Sequence, residues 1–283
     1  MKKLSRTSAA SVWCRKASER GPVVFVPTMG ALHEGHLALI RRARRVAGKS
    51  GSVVVSIFVN PTQFGPKEDL SRYPRPFARD MALCQSAGVD LLFHPTASEI
   101  YASDASVIVT ESSLSKGLCG ASRPGHFNGV CTVVAMLFQI TRPDAAIFGE
   151  KDWQQLAIVR RMVRDLKIPV KILGHQTIRE EDGLALSSRN LLLTPEARLL
   201  APRIYQALLG VEMEVEGGEK SVSKLRRGLL KDLTAIPGAV VDYAEIVNGE
   251  TLEPLKRLEK GIPARALVAV KLGSVRLIDN LAL

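Results

Sequence analysis

Residues 21–36 read GPVVFVPTMGALHEGH, and the fold follows from how this stretch is parsed. Val23-Val24-Phe25-Val26 is a short apolar run of buried-strand length. Pro27 and Gly30 then punctuate the chain, and His33 and His36 follow with Gly35 between them. After His36 the spacing turns helical. Leu37, Ile40, Ala43 and Ala47 make an inward stripe, with Arg41, Arg42, Arg44 and Arg45 outward as a solvated face. Strand, glycine turn and helix start thus succeed one another. A junction of this kind suits phosphate, because unpaired N–H groups and the positive end of the helix dipole meet a ligand there.

The same alternation continues downstream. Val53-Val54-Val55-Ser56-Ile57-Phe58-Val59 has the composition of a strand covered on both faces, and it ends in the turn-rich Asn60-Pro61-Thr62-Gln63-Phe64-Gly65. Further strands are expected near 89–93, 106–110, 145–148 and 169–173, and helices near 7–20, 76–87, 127–140 and 153–166. Strands alternating with helices predict an α/β fold, a Rossmann-like parallel sheet with helices on both faces. Three polar clusters, 27–36, 60–64 and 149–155, fall at carboxyl ends of strands, where open sheets bind ligands. After about residue 175 the pattern changes. Thr194-Pro195-Glu196 is a strong helix start, helices are expected at 195–216 and 221–234, and strands at 240–247, 266–272 and 275–278. The chain therefore divides into residues 1–175 and a smaller C-terminal α+β domain, 176–283.

Composition narrows the function classes. The chain has 283 residues, 46% hydrophobic and 24% charged, which is ordinary for a globular protein with one large or two moderate domains. A net charge of +11 favours anionic partners. No aromatic-interleaved basic stripe accompanies it, so nucleic acid is not expected. No apolar run approaches the roughly 18 residues of a membrane span. The basic start, MKKLSRTSAASVWCRK, lacks an apolar segment after it, so no signal peptide is expected. Cys14, Cys84, Cys119 and Cys131 show no CxxC spacing, which fits a reducing, cytoplasmic setting.

Several residue types can carry chemistry. His33 and His36, three apart beside a glycine, face one side and can contact phosphate; no third ligand at short spacing favours a metal. Lys151 is a point charge after a strand and Gly149, and Asp152 can hold a hydroxyl or a metal-bound water. Ser187, Ser188 and Arg189 offer two hydroxyls and a five-donor fork. The amides of Gln63 and Gln155 can bind a carboxylate or hydroxyl. His94, before Pro95, reads as structural. Neither GxxxxGK[ST] nor GxGxxG occurs, so P-loop and ordinary dinucleotide readings fail.

HxGH after a strand, with a distant Ser-rich loop, resembles the HIGH and KMSKS signatures of class I aminoacyl-tRNA synthetases and related nucleotidylyltransferases. Five motifs together are more specific: VPTMGALHEGH (26–36), SIFVNPTQFGPKEDLSRYPR (56–75), RPGHFNGVCTVV (123–134), FGEKDWQQL (148–156) and LALSSRN (184–190). In this order they are similar to the pantothenate synthetase (pantoate–β-alanine ligase) family. The resemblance implies an ATP-dependent ligase that joins (R)-pantoate to β-alanine through a pantoyl adenylate, with Mg2+ as counter-ion of ATP. Residue by residue it implies ATP binding by Met29, Gly30, Ala31, Leu32, His33, Glu34, Gly35 and His36. It implies the same for Gly149, Glu150, Lys151, Asp152, Ile178, Leu186, Ser187, Ser188 and Arg189. Gln63 and Gln155 are implied in pantoate binding, and Gln63 also in β-alanine binding. His36 is the family's proton donor, and a cytoplasmic homodimer is implied. Leu186, Trp153 and Met136 depart from the usual Met, Tyr or Phe, and Lys.

Two other readings compete. Another HxGH adenylyltransferase would use a different acceptor, which the motif contexts of Gln63 and Gln155 disfavour. A synthetase-like RNA-binding protein would need room for an anticodon domain that this length does not give. A smaller domain carrying Ser187–Arg189 is expected to act as a lid over the site, excluding water from a hydrolysable adenylate.

Overall fold

A computed structural model describes residues 1–66 and 68–283. The opening stretch forms β2 (Val23–Thr28) and α2 (Glu34–Ala47), preceded by β1 (Lys2–Leu4) and α1 (Thr7–Ser18). There follow β3 (Ser52–Ile57), α3 (Phe77–Ser86), β4 (Leu91–Phe93), the short α4 (Ala97–Ile100) and α5 (Cys119–Ser122), α6 (His126–Thr141), β5 (Ala145–Gly149), α7 (Trp153–Asp165) and β6 (Lys171–His175). The six strands form one parallel sheet in the order β1-β4-β3-β2-β5-β6.

Alternation along β2 explains why both faces are covered. Val23 and Phe25 join the core made with α1, α6 and α7, whereas Val24 and Val26 join the core made with α2 and α3. The two helices that leave β2 and β5, α2 and α7, therefore lie on opposite faces. That divergence opens a crevice at the carboxyl ends of these neighbouring strands, the place where open α/β sheets bind ligands.

The rest of the chain builds a second sheet. After α8 (Pro195–Leu200), α9 (Arg203–Glu216) and α10 (Val222–Thr234), strands β7 (Ala239–Asn248), β8 (Ala264–Leu272) and β9 (Val275–Ala282) form an antiparallel meander. One face packs on α9 and α10 through Ala266, Val268, Val270, Leu208 and Leu225. The other meets the first core through Val247 and Leu267.

Several sequence expectations are corrected. The helix expected over 195–216 is interrupted at Ala201-Pro202, because proline supplies no N–H to continue it. Ser106–Thr110 is not a strand: it runs along the surface with Val107 82% and Ile108 64% exposed, and outside any ladder. β1 is too short and polar to read from sequence, yet it pairs with β4. Arg42 and Arg44 are not merely solvated. Arg42 bonds the Gly174 carbonyl, and Arg44 bonds the Gly51 (3.0 Å) and Gly88 (2.9 Å) carbonyls and pairs with Asp90. All four cysteines are buried and free. Among the described residues no helix is long and apolar enough to cross a membrane.

Candidate active site

The chain leaves β2 through a turn that is held from below. Gly30 (φ 84°) and Ala31 (φ 50°) take left-handed conformations, and the N–H groups of Ala31 and Leu32 each donate to the Asp80 carboxylate at 2.8 Å. Asp80, on α3, is only 1% exposed. The Gly30 N–H donates to the Thr28 hydroxyl (3.2 Å). This corrects part of the phosphate-site expectation: the turn's own donors are spent inward. What remains for an anion is the first turn of α2, whose N–H groups have no intrahelical acceptor.

His33 occupies the N-cap of α2, and the His36 ring accepts the His33 backbone N–H at Nδ1 (3.3 Å). Their ring centroids lie 4.1 Å apart. The His33 ring faces the N3 position without forming a bond of good geometry, so its Nδ1 is buried and unpartnered among the described residues. Gly35 makes the packing possible. A Cβ there would lie 2.9 Å from Cε1 and Nδ1 of His33.

Burial, then nearby Lys151, lowers His33 to about 4. Burial, then His33 and Lys151, lowers His36 to about 3. Both rings are neutral at physiological pH. Because His36 uses Nδ1 as an acceptor, its proton sits on Nε2, which is left as a donor.

β5 delivers the second wall. Gly149 leads into a 3₁₀ turn, Glu150–Asp152, and then α7. The Lys151 ammonium has Asp152 as its ion-pair neighbour, at the long distance of 4.0 Å. Two adjacent glutamines then take different roles. Gln154 is saturated: it accepts from the Cys119 N–H (2.9 Å) and donates to the Leu114 and Gly117 carbonyls, both at 2.8 Å. Gln155 faces the cleft, and among the described residues its amide has no protein partner. Gln63 is similar, only 8% exposed on the 3₁₀ turn Pro61–Gln63 and with its side-chain amide likewise unbonded. Asn60 caps that turn, and α6 approaches it so closely that a Cβ on Gly129 would lie 2.4 Å from the Thr62 carbonyl oxygen.

The third wall follows β6. The Leu186 N–H donates to the Ile178 carbonyl (3.0 Å), which closes the loop carrying Ser187, Ser188 and Arg189. Ser187 caps a 3₁₀ turn over Ser188–Leu192 by accepting the Arg189 N–H (3.3 Å). The Ser188 hydroxyl lies 3.1 Å from the Tyr73 hydroxyl. Arg189 forks onto Asp69 through Nε (2.9 Å) and Nη2 (3.0 Å). Beyond burial, that carboxylate raises Arg189, and Arg189 in turn lowers Asp69.

These walls enclose a cavity of about 220 Å³. It is lined by Met29, His33, Gly35, His36, Gln63, Gly149, Lys151, Asp152, Gln155, Ile178, Leu186, Ser187, Ser188 and Arg189. Five expected residues stand outside that lining. Gly30, Ala31 and Leu32 shape the turn behind it; Glu34 pairs with Arg41; and Glu150 leans on Gly174, 3.8 Å from Arg265. A second cavity of about 330 Å³ shares Lys151, Asp152, Gln155, Ser187 and Arg189 and is also walled by Arg123, His126 and β9. Sequence reasoning missed Asp80, Tyr73 and Asp69. Nothing marks Asp80 locally, but Tyr73 and Asp69 lie inside the 56–75 motif. His94 is structural as read, its Nδ1 lying 2.8 Å from the Ile57 carbonyl oxygen and its ring stacked on Phe77.

Comparison with known proteins gives this arrangement a context. The sequence model described as pantoate-beta-alanine ligase matches residues 2–282. Pantothenate synthetase of Thermus thermophilus is 53% identical over 277 residues, 98% of either chain. That of Akkermansia muciniphila is 52% identical over 261 residues, 92% of either chain. The crystal structure of the Thermus thermophilus enzyme superposes with a TM-score of 0.92 at 51% identity, covering 99% of both chains. That of the Francisella tularensis pantoate-beta-alanine ligase, complexed with beta-gamma ATP and beta-alanine, gives 0.80 at 33% identity, covering 100% of this chain and 97% of that one. With a match from one end of the chain to the other, and with the motif residues drawn into one crevice, the chain belongs to the pantoate–β-alanine ligase family.

Proposed function

We propose that the protein condenses (R)-pantoate with β-alanine to give pantothenate, AMP and pyrophosphate. One observation carries the reading. The HxGH pair, Lys151 and Ser187–Arg189 converge in a single crevice with two unbonded amides, Gln63 and Gln155. The cationic and hydroxyl walls suit the phosphates of ATP, and the two amides suit a hydroxy acid.

In the first step a pantoate carboxylate oxygen attacks the α-phosphorus of ATP, and the bond to the bridging oxygen breaks to release pyrophosphate. Negative charge grows on phosphate oxygens, so fixed donors lower the barrier. Lys151, Arg189, Ser187 and Ser188 are placed for this, with the Nε2–H of neutral His36 as a further donor. His36 thus acts by hydrogen bonding rather than as a charged acid. Arg189 can act as a donor while Asp69 holds it, because that pair uses Nε and Nη2 and leaves Nη1 free to donate. In the second step the neutral amine of β-alanine attacks the acyl carbon, the C–O bond to AMP breaks, and the extra proton on nitrogen passes to a phosphate oxygen of the departing AMP. Magnesium would arrive as the counter-ion of ATP, where it would neutralise phosphate charge. Asp152, the one carboxylate lining the first cavity among the described residues, fits as its protein ligand.

We place the domain boundary at 175/176, where β6 ends, and assign 176–283 as the lid. Asn280 of β9 ties this part of the chain to the turn that carries Lys151, since its amide donates to the Glu150 (3.0 Å) and Lys151 (2.9 Å) carbonyls. The protein is assigned to the cytoplasm. We assign a homodimer with Ser106–Thr110 as its contact. This Ser-Val-Ile-Val-Thr run, with Val107 and Ile108 exposed and Val109 half-buried against the core, is nearly palindromic about Ile108, so two copies can pair antiparallel across a two-fold axis.

The test is mass spectrometry of the enzyme with ATP, magnesium and pantoate but no β-alanine. Pantoyl adenylate is expected, with AMP released when β-alanine is added. No adenylate would sink the reading; AMP release indifferent to β-alanine would favour an adenylyltransferase with another acceptor.

A further inference from the structure

Gln63 sits at the end of a single 3₁₀ turn, where little secondary structure fixes its peptide plane. Its N–H donates to the Asn60 carbonyl (3.2 Å), but its own carbonyl oxygen points out of the turn toward α6. Two side chains meet it there. His126 places Nδ1 2.8 Å from that oxygen, and Arg123 donates to it through Nη2 (3.2 Å). Arg123 also places Nη1 3.0 Å from Nε2 of His126.

A guanidinium can only donate, so Nε2 of His126 is the acceptor and the ring proton is on Nδ1, aimed at Gln63. Both lone pairs of the Gln63 carbonyl are then filled. Arg123 is itself aimed by Glu68, with Nε and Nη2 on the two carboxylate oxygens, each at 2.7 Å. Burial and the neighbouring Arg123 push His126 down to about 4, which keeps this tautomer through the neutral range. With both ring nitrogens committed, His126 has no atom left to move a substrate proton.

We propose that Glu68, Arg123 and His126 are positioning residues for acid-substrate recognition. They lock the backbone of Gln63, and so hold its unbonded amide at the angle that receives the hydroxy acid. The inference rests on the assignment of Gln63 to pantoate. It predicts a selective loss. A loosened Gln63 weakens pantoate binding but leaves the ATP walls, formed from α2, α7 and the Ser187–Arg189 loop, unchanged.

The experiment is pantoate-dependent exchange of labelled pyrophosphate into ATP, with thermal unfolding of each variant as the folding control. His126→Ala is expected to raise the pantoate KM about tenfold, the scale of a lost buried hydrogen bond. The ATP KM and kcat should stay within about twofold, the pattern of lost uniform binding. His126→Asn, whose amide N–H can take the place of Nδ1–H, should recover most of the affinity. Glu68→Gln, on the partly exposed loop, should give an intermediate rise and serves if His126→Ala does not fold. An unchanged pantoate KM in a folded His126→Ala or Glu68→Gln protein overturns the proposal. So does an equal fall in kcat for Ala and Asn. Wild-type protein that shows no pantoate-dependent exchange would instead defeat the functional reading on which the proposal rests.

Discussion

Gly35 sets two demands against each other. It lies in the first turn of α2, where alanine is favoured over glycine by about 1 kcal/mol. A Cβ there, however, would press on the His33 ring at 2.9 Å. The ring is a flexible side-chain end and can yield, so Gly35→Ala is expected to fold with little change in Tm. Its displaced ring no longer packs on His36, and a misplacement of this kind costs about 100-fold in rate. Adenylate formation should therefore fall steeply in a protein of undiminished stability; unchanged single-turnover adenylation would show that the His33 ring position is not required. The motif HxGH was legible in sequence. The reason for its glycine was not, because it depends on a contact between Gly35 and a ring two residues earlier in the cap. The neutral state of the pair was likewise hidden, since it follows from burial and from Lys151, more than 100 positions away.

Gly129 poses the same conflict within a longer helix, with a different outcome. α6 runs against the turn that carries Gln63, and a Cβ on Gly129 would meet backbone at 2.4 Å, which cannot rotate aside. Overpacking of this kind costs about 1–3 kcal/mol, so Gly129→Ala should lower Tm by several degrees. It should also raise the pantoate KM by moving Pro61–Gln63. Wild-type Tm and KM together would show that α6 has slack at this point. The alternating β2 and β3 patterns announced a sheet covered on both faces, because period-two and period-3.6 spacing are local properties. Asp80 gave no such signal. It reads as an ordinary helix-surface acid, and only the docking of α3 beneath the turn makes it the acceptor for Ala31 and Leu32. Ser106–Thr110 misled for the opposite reason. Its β-branched residues have strand propensity, but the fold leaves no sheet edge beside it. If a second copy supplies that edge, Ile108→Lys should shift the protein from dimer to monomer in sedimentation velocity, without loss of secondary structure. An unchanged sedimentation coefficient would place the contact elsewhere.

Three histidines couple the fold to pH across the whole chain. In the folded protein His33, His36 and His126 titrate at about 4, 3 and 4, against an ordinary value near 6.5. Between about pH 6.5 and 4 the unfolded chain therefore binds protons that the native state refuses. Stability must fall as pH falls through this window and be fully present above it. Against their burial, Arg123 and Arg189 hold the carboxylates of Glu68 and Asp69 below their ordinary values, so their contribution is present through this window and is lost as pH falls further, through the lowered values. Urea unfolding at pH 7.5, 6.0 and 5.0 should show a steady decline in unfolding free energy. The slope then reports proton uptake. His126→Asn removes one titrating ring, so its slope should be shallower by up to about one proton, or about 1.4 kcal/mol per pH unit at the limit. A variant slope equal to that of the wild type would mean that His126 is protonated in the native state. The Nδ1–H tautomer that links Arg123 to the Gln63 carbonyl would then be wrong. If the slope does flatten while the ion pairs at Glu68 and Asp69 stay intact, acid weakens the crevice first at its histidines, before the carboxylates that tie its walls together are lost.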